Sequence, residues 1–205
     1  MRKLILRQDI SIDGFVAGPN GEIDWIFKTL DDDATAWLVE RLWRADFHIM
    51  GSRTYYDMAA YWPNSTDALA APMNAIPKVV FSRRGLVDAQ SAPTTRALTD
   101  ASHARPIAPT GASWAAPRVA TGELREEIGR LKAEDGKDIV AHGGASFAQS
   151  LVSEGLVDEY HLITHPVAVG RGLALFSSLS RPVDLTLVSA TPFRGGVVAH
   201  VYRPA

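Results

Sequence analysis

The sequence predicts an α/β fold: a mainly parallel central sheet flanked by helices and finished by an antiparallel hairpin at the C-terminal end. Three features predict it. Strand-like and helix-like segments alternate from the N-terminus to Glu154, the order expected of a parallel sheet with crossover helices. The last third is rich in strands, and Gly195-Gly196 suits a tight hairpin between the final two. No repeat and no linker divides the 205 residues, so one domain is expected, long enough to bury its own core.

The elements follow in order. Lys3 to Ile12 reads as a strand, closed by the turn signal Asp13-Gly14. Phe15-Val16-Ala17 is short and apolar, and Gly18-Pro19-Asn20-Gly21 is a second turn. Asp33 to Arg44 reads as a helix, with Trp37, Leu38, Arg41 and Leu42 on one face. The acids Asp31-Asp32-Asp33 sit at its start, where the helix dipole favours negative charge. Phe47 to Met50 is a buried strand ending at Gly51, and Ser52 can cap a helix holding Tyr55, Tyr56 and Met58. Lys78 to Phe81 is another strand. The segment 85–111 has almost no periodicity and reads as an insertion or long loop. A helix is expected from Gly122 to Glu134, where Leu124, Ile128 and Leu131 recur at helical spacing before Gly136. The strand Asp138 to His142 runs into Gly143-Gly144 and the helix Ala145 to Glu154. The strands Glu159 to Pro166, Val183 to Ala190 and Gly196 to Arg203 complete the chain.

Composition excludes several function classes. Lys plus Arg number 21 against 23 acids, a net charge of -2, so the chain lacks the positive excess of a general nucleic-acid binder. An anionic ligand would need positive charge gathered locally. With no cysteine there is no disulfide, zinc–thiolate site or thiol nucleophile. No apolar run approaches the roughly 18–20 residues that cross a bilayer. Arg7 and Asp9 interrupt the N-terminal apolar run before a signal-peptide core could form, so a cytoplasmic location is expected. The six histidines show no His-Glu-x-x-His spacing, and no metal is expected.

The chemistry points to three strand ends. Met50-Gly51-Ser52-Arg53-Thr54, Phe81-Ser82-Arg83-Arg84 and His142-Gly143-Gly144-Ala145-Ser146 each follow a strand and open a helix or loop. In open α/β sheets ligands bind beyond the carboxyl ends of the strands. A helix N-terminus offers unpaired N–H groups to phosphate, and glycine lets the backbone approach closely. Arg53, Arg83 and Arg84 would supply the local charge. Each turn alone is equally a cap or a solvated loop; their coincidence at three strand ends carries the argument. The chain has neither the Gly-x-Gly-x-x-Gly nor the Gly-Lys-Ser/Thr phosphate motif, and no Gly-x-Ser-x-Gly. Trp25, Tyr55, Tyr56 and Trp62 could wall a pocket for a flat ring or simply fill core and rim.

In order along the chain, Ser11-Ile12-Asp13-Gly14-Phe15-Val16-Ala17, Asp24-Trp25-Ile26, Ala45-Asp46, Ile49 to Thr54, Val80 to Arg83, Asp138 to Ser146, Gly155 to Glu159, His165-Pro166-Val167 and Gly170-Arg171-Gly172 form a set. The set resembles the dihydrofolate-reductase-like superfamily, in particular the C-terminal reductase domain of bacterial riboflavin-biosynthesis deaminase-reductases and its stand-alone relatives. It spans nearly all of the chain except 85–111.

The resemblance implies a reductase that uses NADPH and transfers a hydride to a small heterocyclic or conjugated substrate. It places Gly51, Ser52, Arg53 and Thr54 on the cofactor's phosphate side and Ser82 and Arg83 at the adenosine 2′-phosphate. It places Gly143, Gly144, Ala145, Ser146 and Phe147 around the pyrophosphate, with Trp25 near the nicotinamide. Asp13, His142 and Thr164 are the candidates for the reacting pocket, and a homodimer is usual for the family. Two departures bear on the substrate. His142 stands where the riboflavin-pathway enzymes carry an acid, and Phe15 where they tend to carry a base. Reduction of 5-amino-6-(5-phosphoribosylamino)uracil is one alternative; a non-catalytic nucleotide-binding protein of the same fold is another.

Overall fold

A computed structural model describes residues 1–86 and 112–205, so the expected insertion or loop at 85–111 lies, beyond Leu86, outside the described residues. The strands are β1 (Leu4–Ser11), β2 (Phe15–Ala17), β3 (Ala45–Gly51), β4 (Lys78–Phe81), β5 (Arg118–Ala120), β6 (Asp138–Ala141), β7 (Glu159–His165), β8 (Leu173–Ala174), β9 (Leu185–Pro192) and β10 (Val198–Pro204). The helices are α1 (Asp32–Leu42), α2 (Ser52–Tyr61), α3 (Ala70–Ala75), α4 (Ala112–Ala115), α5 (Leu124–Ala133) and α6 (Ala145–Ser153). One sheet has the order β5-β4-β3-β6-β1-β7-β10-β9, and β2 pairs with β8 beside it. From β5 to β7 neighbours are parallel; β10 is antiparallel to β7 and to β9. That is the expected mixed sheet.

Strand alternation builds two cores from one sheet. Leu4, Leu6 and Ile10 of β1 pack with Ile128 and Leu131 of α5 and Ala148 and Leu151 of α6. Ile5 faces the other way and joins Leu38 and Leu42 of α1 with Tyr55 and Ala59 of α2. Each such fully buried aliphatic side chain contributes about 1.5–3 kcal/mol. In α1 the buried positions Ala34, Leu38 and Leu42 form the helical stripe, while Arg41 lies over the Trp37 ring at 4.8 Å. Asp31 caps this helix by accepting from the Ala34 N–H at 2.8 Å, which gives the acid run its local role.

Some boundaries and elements differ from expectation. The helix expected from Gly122 begins at Leu124, with Glu123 at its cap position and no side-chain cap bond. The last two strands each begin two residues later than expected, at Leu185–Pro192 and Val198–Pro204, because the Gly196 N–H bonds the Phe193 carbonyl and sets the turn. β5, α3 and β8 carry no signal in the sequence. β5 and β8 are held by pairing with β4 and β2, and α3 by burial of Ala70 and Met73.

Candidate cofactor and substrate site

β4, β3 and β6 are adjacent and parallel, so the three turns predicted at their carboxyl ends lie side by side. Gly51 is opposite Phe81 in the register of β3 and β4. The Gly51 N–H bonds the Gly143 carbonyl at 3.4 Å, and the Gly144 N–H donates to Thr54 Oγ1 at 2.6 Å. Phe147 packs its ring 5.0 Å from that of Phe81 and ties the third turn to the other two. Gly51 and Gly144 are the N-cap residues of α2 and α6, and neither helix has a side-chain cap bond. The first-turn N–H groups of Ser52, Arg53 and Thr54 and of Ala145, Ser146 and Phe147 are therefore not taken up by side-chain caps, in contrast to α1.

Glycine is required where the backbone turns. Gly143 has φ +81°, and a Cβ there would stand 2.6 Å from Gln8 Nε2. At Gly144 a Cβ would be 3.0 Å from Thr54 Oγ1. Ser82 spends its hydroxyl on its own turn, donating to the Gly85 carbonyl at 2.6 Å, so its backbone and Arg83 are what this turn presents. Arg53, Arg83 and Ser146 are exposed.

A second cluster lies under the same end of the sheet, on the face covered by α1 and α2. It is formed by alternate residues of four neighbouring strands: His48 on β3, His142 after β6, Arg7 and Asp9 on β1 and His165 on β7. The His48 and His142 rings meet edge to face at 4.5 Å. Burial, then the positive charges of Arg7 and Lys78, hold the His142 imidazole down to about 3, against a smaller opposite effect of Asp9. Burial, His142 and Lys78 lower His48 in the same way. Both rings are therefore neutral at physiological pH. His48 Nδ1 and Nε2, His142 Nε2 and Trp25 Nε1 are buried without a hydrogen-bond partner among the described residues. Unpartnered buried polar atoms are costly and mark places where a water or ligand group is taken.

Asp9 bonds Arg7 at 2.8 Å and His165 Nε2 at 3.0 Å. Burial would raise its carboxyl, but Arg7 and the His165 bond prevail and hold it below the usual value. His165 Nδ1 meets Thr29 Oγ1 at 2.7 Å, and Trp25 packs its ring 5.3 Å from His165.

Of the residues singled out in the sequence, Gly51 to Thr54, Ser82, Arg83 and Gly143 to Phe147 come together, with His142 directly behind them. Trp25 lies beside His165, two strands across. Asp13 is at the same end of the sheet, but its carboxylate accepts from Ser11 Oγ at 2.6 Å and from the Gly170 and Val169 N–H groups at 2.7 and 3.1 Å. The Ser11 hydroxyl and the Gly170 N–H lower it to about 2, so it acts as an ionised clamp between two loops. Thr164 is not brought to the cluster. It alternates with Ile163 and His165, faces the side of Tyr160 and Leu162, and its hydroxyl meets His200 Nδ1 at 3.2 Å. Asp9, Arg7, His48 and Thr29 were missed. The legible signal was a pair of charges, Arg7 and Asp9, in a central strand that is apolar at Leu4 to Leu6 and at Ile10.

An open cavity of about 400 Å³ lies at the opposite end of the sheet, lined by Arg2, Lys132, Glu134 and Asp138 among others. Arg2 and Lys132 are bound there to Asp46, Glu134 and Asp158, so this cavity has no spare charge for an anion.

Comparison with known proteins fits this arrangement. The chain matches the RibD C-terminal domain over residues 2–199. It belongs to that family. The uncharacterized protein YyaP of Bacillus subtilis is 30% identical over 208 residues, covering 98% of this chain and 95% of that one. The riboflavin biosynthesis protein RibD of Corynebacterium ammoniagenes is 27% identical over 185 residues, covering 88% of this chain but 47% of that protein, so the chain corresponds to about half of it. A putative riboflavin biosynthesis protein from Shewanella sp. PV-4 superposes with a TM-score of 0.71 at 19% identity over 99% of both chains, which shows a shared fold. The resemblance read from the sequence and the fold class are thus borne out. Membership of the RibD C-terminal domain family supports a reductase. No helix among the described residues is long and apolar enough to cross a membrane, and no group of three or more metal-ligating side chains occurs among them.

Proposed function

We propose that this RibD C-terminal domain protein is an NADPH-dependent reductase that transfers a hydride to a small heterocyclic or conjugated acceptor. One observation carries the reading: the three turns abut at the ends of three adjacent parallel strands, with two helix N-termini that lack side-chain caps joined by the Gly51–Gly143 bond. The residues present fit a dinucleotide. The N–H groups of Ser52 to Thr54 and Ala145 to Phe147 suit phosphate oxygens. A Cβ at Gly143 or Gly144 would crowd the Gln8 or Thr54 side chain, so the turn that brings the two helix N-termini together can pack only with glycine there. Arg83, exposed at the end of β4, suits a 2′-phosphate. When bound, the nicotinamide supplies the hydride.

The protein's own groups shape the pocket. Trp25 is a rigid apolar wall, 8% exposed, whose buried indole N–H has no hydrogen-bond partner among the described residues. His142 offers a neutral hydrogen-bonding nitrogen where charge is excluded by burial, a site for an uncharged polar edge rather than a phosphate. That preference favours a substrate whose reacting end is an uncharged ring.

Calorimetric titration with NADPH and NADH tests the cofactor. Tighter binding of NADPH is expected, and failure of both to bind refutes the reading. Loss of NADPH absorbance with a panel of conjugated ketones, dihydropterins and 5-amino-6-(5-phosphoribosylamino)uracil then tests the acceptor. Tight binding of NADPH without oxidation by any of them would mark a binding protein of the same fold instead.

A further inference from the structure

Hydride transfer leaves an electron pair on the acceptor, and that pair must take up one proton. The site contains one chain of groups built to deliver it. Asp9 on β1, His165 at the end of β7 and Thr29, after the short helical turn Ile26–Lys28, are joined by bonds of 3.0 and 2.7 Å through the two nitrogens of one imidazole. His165 is 0% exposed, so its ring reaches solvent or ligand only through a partner. Thr29 is half-buried and forms the outer end. Arg7 holds Asp9 from behind at 2.8 Å. The ionised carboxylate sets the proton on Nε2 and leaves Nδ1 to exchange a proton with the Thr29 hydroxyl.

We propose that Asp9, His165 and Thr29 form a proton-delivery chain for the reduction, with the Thr29 hydroxyl as the group that hands the proton to the acceptor and Asp9 as a positioning residue. This rests on the reductase reading given above. In the loaded state the imidazolium donates Nε2–H to Asp9 and Nδ1–H to the Thr29 oxygen, which leaves the Thr29 O–H free to turn toward the ligand. The acceptor, having received a hydride from the reduced nicotinamide, takes the Thr29 proton as that O–H bond breaks. The Nδ1 proton moves to the Thr29 oxygen, and the ring is left neutral with Nε2–H still on Asp9. Water restores the ring proton after product departs.

A purely structural tie would not need this chain. The loop is already fastened by the Gly195 N–H to Asp31 at 2.7 Å, independently of Thr29 Oγ1. The ring's charged partner is Asp9, which Arg7 of the same strand holds in turn, and His142, just after β6, is held neutral by burial.

The test uses the whole chain labelled with 15N at histidine, free and saturated with NADPH or NADP+. The first measurement is the protonation of His165 from its two ring nitrogen shifts. The positive charge of the oxidised nicotinamide disfavours an imidazolium nearby, so replacing NADPH by NADP+ should release a proton from His165, and Asp9→Asn should abolish the difference. The second is exchange of the ring protons with water. Thr29→Val should slow it roughly 100-fold, the scale on which a positioned acid–base group acts, and Thr29→Ser should restore it. An identical His165 state in both complexes, or exchange in Thr29→Val as fast as in the parent chain, overturns the proposal. If neither nucleotide binds, the reductase reading fails instead, and that outcome is separate because exchange is also measured in the free chain.

Discussion

Asp9→Asn keeps the shape of the side chain and removes its charge. The carboxylate is 10% exposed and the Arg7 side chain 19%, with the pair 2.8 Å apart. Removing one member of a buried ion pair costs about 3–5 kcal/mol, because the other charge stays buried and unpaired. The partial exposure of Arg7, and the amide oxygen that can still accept from His165, place the loss at the lower end, about 3 kcal/mol. For a chain of this size each kcal/mol moves the melting temperature by about 2–4 °C, so a fall of roughly 6–12 °C is expected. The pH dependence has a definite sign. The Asp9 carboxyl is lowered in the folded chain, so its stabilisation is present above the ordinary carboxylate range and is lost as pH falls through the folded value. Urea and thermal unfolding of parent and variant at neutral and acid pH measure both effects. Equal stability at neutral pH would refute the argument, as would a difference that does not shrink in acid.

Three further outcomes are expected. Gly195→Ala would place a Cβ 2.3 Å from the Thr29 carbonyl oxygen, so the hairpin must move off the Thr29 loop at a cost of about 1–3 kcal/mol in urea unfolding; unchanged stability would show that the two loops do not support each other. Burial lowers Lys78 from 10.5 to about 7, so the unfolded chain holds a proton the folded one has released; stability should rise with pH between those values, and Lys78→Met should flatten the slope in denaturant titrations. Arg83→Ala should weaken NADPH by about 1.5–3 kcal/mol, roughly 10–100-fold, and leave NADH unchanged, as read by calorimetry; equal effects on both nucleotides would detach Arg83 from the 2′-phosphate.

What was legible in the sequence was local. The apolar stripe of α1, its Asp31 cap and the glycine turns after β3 and β6 are each decided within a few residues, by helical spacing, side-chain capping and backbone freedom. The alternation of elements then implied parallel pairing, which puts those turns at one end of the sheet. Weak elements were not legible for the converse reason. β5 has three residues and β8 two, and each exists because a neighbour supplies its hydrogen bonds.

Fold class, the order of the elements and the three strand-end turns were thus readable from the residues alone. Which face each strand turns to the site, and so which polar residues meet, was settled by packing across the sheet. Thr164 and His165 are neighbours in the chain, yet the pleat sends one toward His200 and the other toward Asp9. Asp9 and His165 stand 156 positions apart and meet because β1 and β7 are adjacent parallel strands whose register is set by burying both cores at once. A strand's phase has no local signature when both faces are covered, since both then carry apolar residues and the packing of the whole sheet chooses between them.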